Sequence, residues 1–168
     1  VKDIFKKCGN VELPDNPRQM PYDEAMNRFG SDKPDTRFGL ELIDLSDIAK
    51  DCGFQVFERA CAAKDSSVRM INAKGFVNEE NQILSRRDID ALGEFVKTYK
   101  AKGLAWIQVR KGGELNSAIT KFMPKEKVDA ILERAKAEPG DLILFCADKN
   151  EIVFKTLGAL RLHLAEIG

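Results

Sequence analysis

Asp32, Lys33, Asp35 and Arg37 crowd around Pro34, directly after Gly30-Ser31. Charged groups at that density suit two different tasks. Lys33 or Arg37 could meet a nucleic-acid phosphate, because backbone contacts of that kind are made largely by lysine and arginine. The same four side chains could instead pair with one another and close Asx-type turns, with Pro34 fixing the direction of the loop. Exposed ion pairs contribute only about 0–1 kcal/mol each, so a loop of the second kind sets geometry rather than stability.

A second concentration of charge runs from Lys97 to Lys127. Lys97, Lys100, Lys102, Arg110, Lys111, Lys121, Lys125 and Lys127 stand there against Glu114 and Glu126 only. The chain is neutral overall, so the remainder carries the opposite excess. Such asymmetry can position RNA phosphates when another domain supplies affinity. A solvated helix end and helix start attract lysines for ordinary reasons too. Lys33, Arg37, Lys97, Lys100, Lys102, Arg110, Lys111 and Lys121 are the candidate phosphate contacts. Zero net charge argues against tight RNA binding by the chain alone.

Other chemistry is sparse. Cys8, Cys52, Cys61 and Cys146 lack the spacing of a zinc site, and there is one histidine, so no metal site is expected. Cys146 lies in the apolar run from Leu142 and reads as a buried, inert thiol. His163 has no neighbouring Cys or Ser to form a dyad and reads as a surface or interface residue. Trp106, Phe95 and Tyr99 could stack on bases, yet their periodicity fits core packing better. No catalytic residue is assigned. Free thiols, an N-terminus unlike a signal peptide and the lack of a bilayer-length apolar run fit a cytoplasmic protein.

At 168 residues, 43% hydrophobic and 32% charged, the chain can bury one real core. A short helix over Asp3–Cys8 is followed by a stretch broken at Pro14 and Pro17. This arm has too little apolar surface to fold alone and reads as a piece of a neighbouring structure. Met20 to Phe29 reads as an amphipathic helix stopped by Gly30. Strands are expected at Leu40–Leu45, Gln55–Phe57, Ser67–Ala73, Leu104–Val109 and Leu142–Ala147, the fourth covered on both faces over part of its length. Ser46 offers an N-cap to a short helix ended by Gly53, and Gly75–Asn81 is a polar loop. Ser85 and Asp88 form a capping-box pair before Ile89, Leu92, Phe95, Val96 and Tyr99, a helix that Gly103 stops. Lys111-Gly112-Gly113 makes a turn. Pro124 opens a helix carrying Val128, Ile131, Leu132 and Ala135, and Pro139-Gly140 ends it. A last helix from about Asn150 carries Val153, Leu157, Leu160, Leu164 and Ile167. The pattern predicts an α+β two-layer sandwich, a mostly antiparallel sheet with helices on one face.

The segment from Met20 through Gly30-Ser31-Asp32-Lys33-Pro34-Asp35 resembles bacterial-type aspartyl-tRNA synthetases, where it leads from the class II core into an inserted domain. Later landmarks follow in family order. Lys97–Ala105 resembles a helix end and following strand, with Lys102-Gly103-Leu104-Ala105 at the junction. Ser117–Phe122 resembles a small-residue turn, Gly140–Asp148 the pattern that names the GAD domain, and Leu157-Gly158-Ala159-Leu160-Arg161 the helix that returns to the core. Phe29 stands where tyrosine is usual, Thr36 where an apolar residue is common and Ala118 where proline often sits.

The resemblance implies a GAD, DCoH-like insertion at 38–156, with pieces of the class II core at 1–37 and 157–168. It implies a parent that ligates aspartate to tRNA(Asp) with ATP and Mg²⁺ and is a homodimer, while this chain is monomeric, inert, free of cofactors and helps position the tRNA acceptor arm. Neither class II catalytic motif, Gly-rich run ending in arginine or Arg-x-Glu strand pair, is present. Two rivals are the GAD module of an archaeal-type Glu-tRNA(Gln) amidotransferase and a free-standing regulatory domain that binds a small molecule. The core-type lead-in favours the synthetase.

Overall fold

A computed structural model describes residues 2–12, 15, 19–76 and 84–167. Five strands form one sheet: β1 (Ile43–Asp44), β2 (Ser66–Ala73), β3 (Ala105–Val109), β4 (Leu115–Asn116) and β5 (Leu142–Lys149). The order is β1-β2-β5-β3-β4, with every neighbour antiparallel. β2 and β5 form the centre and pair over their full lengths, from Ser66↔Lys149 to Ala73↔Leu142. The α+β class and the antiparallel sheet are as the sequence predicts.

The helices, however, cover both faces. On one side α3 (Ser46–Ala49), α4 (Gln55–Ala62) and α6 (Lys125–Ala135) bring Ala49, Phe57 and Ile131 onto Val68, Met70, Ile143 and Phe145. On the other, α5 (Arg86–Lys97) and α7 (Asn150–Ile167) bring Leu92, Val96, Leu157 and Leu160 onto Ile71, Leu142, Leu144 and Cys146. The cause lies in the central strands. Side chains alternate between faces, and β2 and β5 are buried at consecutive positions, so a one-sided cover would leave an apolar face in water. Two-sided burial was expected only for the strand that became β3.

Other differences are local. Gln55–Phe57 is the first turn of α4 rather than a strand, because three residues cannot separate the two periods and Ala60 and Cys61 continue the helical face onto the core. The strand expected from Leu40 shrinks to Ile43–Asp44, since Leu40 itself is left-handed at φ 61°. Ser46 is the first residue of α3, and Leu45 occupies the cap position. The capping box of Ser85 and Asp88 forms as read. That helix stops at Lys97, and the chain reverses at Lys100 (φ 69°) rather than Gly103. Pro124 caps α6, which closes at left-handed Lys136 before Pro139 is reached. Val153, Leu157, Leu160 and Leu164 of α7 are buried, whereas Ile167 is exposed. The first arm contains α1 (Lys2–Gly9), with Ile4 and Phe5 in solvent. Pro14, Pro17 and residues 77–81 of the expected polar loop lie outside the described residues. Among the described residues no helix is long and apolar enough to cross a membrane.

Burial pushes the Cys146 thiol up to about 12, with Asp148 adding to the effect, and burial also raises Cys52. Reaction requires the thiolate. In native protein at pH 8, iodoacetamide is expected to modify exposed Cys8 within minutes and to leave Cys52 and Cys146 intact until urea is added. Mass spectrometry of the peptides reads the outcome; early modification of Cys146 would contradict the packing.

Candidate nucleic-acid interface

The loop after α2 (Tyr22–Phe29) is built before any ligand reaches it. Gly30 ends the helix at φ 68°, its N–H donating to Met26 O at 2.9 Å. Lys33 N–H donates to Ser31 Oγ at 3.1 Å, and Arg37 N–H to Asp35 Oδ1 at 3.0 Å, two side-chain turns in succession. The Arg37 guanidinium grips the same carboxylate through Nε at 3.0 Å and Nη2 at 2.5 Å. That guanidinium holds Asp35 at about 2, and the Arg37 backbone N–H adds to the shift. Mutual pairing, the geometric reading of Asp35 and Arg37, is therefore what the fold contains. Lys33 is exposed and makes no ion pair among the described residues.

The loop's inner side is fixed by a residue that the sequence reading quoted only within a motif. Arg161 of α7 is 1% exposed. Its Nη2 donates to Asp35 O at 2.9 Å and Gly39 O at 3.0 Å, and its Nε to Leu40 O at 3.3 Å. Phe29 and Phe38 flank the guanidinium at 4.9 and 4.4 Å. One turn back, Gly158 meets Gly30: a Cβ on Gly158 would lie 2.7 Å from Gly30 O. Arg69 of β2 adds a second tie, donating to Asn27 O and Oδ1 at 3.2 and 2.8 Å and pairing with Asp44 at 3.0 Å. The sequence does carry a signal for both arginines. Arg161 interrupts the stripe Leu157, Leu160, Leu164, and Arg69 interrupts Val68-Met70-Ile71.

The lysines do not make one patch. Lys97 pairs with Glu94 at 2.6 Å, Lys100 sits at the reversal beside α7, and Lys102 precedes β3. Arg110 and Lys111 occupy the β3–β4 turn at the opposite end of β3, about 17 Å away for a five-residue strand. Lys121, in the 3₁₀ turn Thr120–Phe122, lies 5.0 Å over the Phe122 ring, and Lys127 pairs with Asp51. Two basic groups result, with Lys33 at the junction separate from both. Phe95 and Tyr99 pack on each other, and Phe95 stacks on His163 at 4.7 Å, while Trp106 is buried under Arg86. Trp106 and half-buried Phe95 pack on the core, whereas Tyr99 is exposed just past the end of α5. Among the described residues no three His, Cys, Asp or Glu side chains converge as a metal ion requires.

Residues 57–157, which contain most of the sheet and parts of both helical layers, match the GAD domain. The chain belongs to the GAD domain family. It is 53% identical over 165 residues to the aspartate–tRNA ligase of Ruminiclostridium cellulolyticum, covering 98% of this chain and 27% of that protein. It is 49% identical over 164 residues to the aspartate–tRNA(Asp/Asn) ligase of Symbiobacterium thermophilum, with 98% and 27% covered. To the aspartate–tRNA ligase of Clostridium perfringens it is 48% identical over 165 residues, with 98% and 26% covered. The chain thus spans about a quarter of the length of these relatives. The junction loop held by Arg161 lies outside the GAD match but inside the stretch shared with the ligases.

Proposed function

We propose that this GAD domain is an insertion in an aspartate–tRNA ligase, and that it is a non-catalytic module which helps position the acceptor arm of tRNA. The observation that carries the reading is the junction. The lead-in loop is clamped onto α7 by Arg161, so both connections of the domain run side by side, as an inserted unit requires. Residues 1–37 and 157–168 are the connections and 38–156 the insertion; α7 passes through 157 unbroken, so the return connection is a rigid helix. The shared lead-in favours the ligase over an amidotransferase module and over a free regulatory domain.

Aspartate activation with ATP and Mg²⁺ belongs to the remainder of such an enzyme, a cytoplasmic homodimer. Among the described residues of this domain no three His, Cys, Asp or Glu side chains are grouped to hold a metal ion. The domain's own contribution is electrostatic: cations at the junction and at both ends of β3 face solvent, where phosphates can be met without base-specific contacts.

Two charge reversals in the full-length ligase separate the groups. Lys97→Glu with Lys100→Glu, and independently Arg110→Glu with Lys111→Glu, are made and aminoacylation is followed. The pair that faces the acceptor arm is expected to raise KM for tRNA about tenfold, roughly 1.4 kcal/mol, with kcat kept. Unchanged KM in both pairs would dismiss the positioning role. ATP–pyrophosphate exchange by the isolated domain would refute its inertness.

A further inference from the structure

The sheet has a gap that the reading above does not use. β3 pairs with β5 from Gln108↔Leu142 to Ala105↔Phe145 and then departs, whereas β2 follows β5 to Lys149. Val109 N–H donates to Asp141 O at 2.9 Å, so odd-numbered β5 residues turn their backbone groups towards β3. By the same alternation the N–H and C=O of Ala147 face the space that β3 has left. No backbone group of residues 101–104 meets them. Lys149 N–H, the next on that side, is already taken by Asp148 Oδ1 at 2.8 Å.

Two depressions of about 430 and 320 Å³ run into each other over this gap, sharing Val56, Lys102 and Ala147. The first is walled by Phe54, Leu104 and Ile119, and Val56 is 53% exposed at its mouth. Phe54 stacks at 5.8 Å and 24° on exposed Phe122. The second is rimmed by Arg59, Lys102 and Lys149, with Asp148 as the one carboxylate among its lining residues. A flat apolar slot, one free peptide donor and acceptor, and a cationic rim call for a planar ring with a polar edge and a nearby anion. An extended peptide is the poorer fit, because strand addition needs a ladder and only Ala147 presents both groups. A base inside a duplex cannot enter, since its faces are stacked and its edge is paired.

We propose that this groove holds one unpaired nucleotide of single-stranded RNA, its base against Phe54 and Val56, its edge on the Ala147 peptide and its phosphate at Lys102 and Lys149. The choice of RNA rests on the ligase reading; the slot chemistry does not. Base stacking on such surfaces tolerates any sequence.

The test is an NMR titration of the ¹⁵N-labelled 168-residue chain with an unpaired RNA tetramer, with AMP and with an RNA duplex of equal phosphate number. The tetramer is expected to shift the Val56, Lys102 and Ala147 amides saturably, and the duplex to leave Val56 and Ala147 in place. Val56→Glu, at a solvent-facing position that keeps the core intact, is expected to weaken tetramer binding at least tenfold with the melting curve unchanged. No saturable shift at Ala147, equal shifts with duplex, or indifference to Val56→Glu would overturn the proposal. AMP binding as tightly as the tetramer would assign the slot to free nucleotides and overturn its RNA part. A capped tetrapeptide of alternating valine and glutamate that shifts these amides where RNA does not would hand the groove to a protein strand. None of these failures touches the acceptor-arm reading, which is measured in the whole enzyme with Val56 and Ala147 untouched.

Discussion

Arg161→Met is expected to destabilise the domain by about 3–5 kcal/mol, read as a fall in the urea midpoint of circular dichroism at constant m. Replacing a buried ion pair by apolar residues is often neutral, because both charges leave together. Arg161 is a different case. Its direct hydrogen-bond partners are the carbonyls of Asp35, Gly39 and Leu40, and these stay behind when the guanidinium goes. An acceptor left unmatched away from water costs about 1–3 kcal/mol, the lower end applying to these half-buried carbonyls, and Phe29 and Phe38 lose the cation between them. Methionine fills much of the volume, which keeps the cavity contribution small. Arg161→Lys keeps the charge but, with one ammonium, cannot reproduce the fork, and should recover part of the loss. A change below 1 kcal/mol for methionine would show that water replaces the guanidinium and that the clamp is dispensable.

Gly158→Ala is the second large effect, and its sign is the informative part. In an exposed helix interior the change gains about 1 kcal/mol in propensity. Here the new methyl would lie 2.7 Å from Gly30 O, 3.1 Å from Gly30 C and 3.2 Å from Phe29 O, all rigid backbone. Gly30 cannot yield readily, since it sits at φ 68° and its own Cβ position faces Phe154 O at 2.3 Å. Overpacking of this kind costs about 1–3 kcal/mol, which set against the propensity gain leaves a net loss of up to about 2 kcal/mol. Hydrogen exchange adds a spatial readout, with faster exchange confined to α2 and the loop through Leu40. Gly93→Ala, where a Cβ meets nothing within 4 Å in mid-α5, is the control and should stabilise. Equal stabilisation by both would mean that α2 does not rest on α7 as closely as described.

Much of this architecture was legible because its signals are local. The Ser85–Asp88 cap, the Gly30 stop and the stripe of α7 depend on neighbours within one or two turns, and they form where they were read. What escaped depends on distant partners. Phe57 looked like strand because its burial is decided by Phe145, 88 positions later, and not by a visible period. Two-sided helix cover follows from which strands lie centrally, a property of sheet order that spacing along the chain does not encode. For the candidate interface, type and exposure of the lysines were readable but their separation by the length of β3 was not. Arg37 offered a phosphate contact or, the favoured reading, a turn partner, and its reach to Asp35 is visible only in the fold. Ala147 carries no side-chain chemistry at all, so a free peptide on its edge leaves no trace in composition.

The pairing at the middle of the sheet sets a timetable for synthesis. β2 joins β5 across about 70–80 intervening residues. At about 5–20 residues per second, β2 leaves the ribosome roughly 4–16 s ahead of β5. Through that interval the edge of β2 that will meet β5 has no partner, since only β1, α3 and α4 precede it to pair with or cover Val68, Met70 and Ile71, and the nascent chain is most open to chaperone capture or misassociation at this stage.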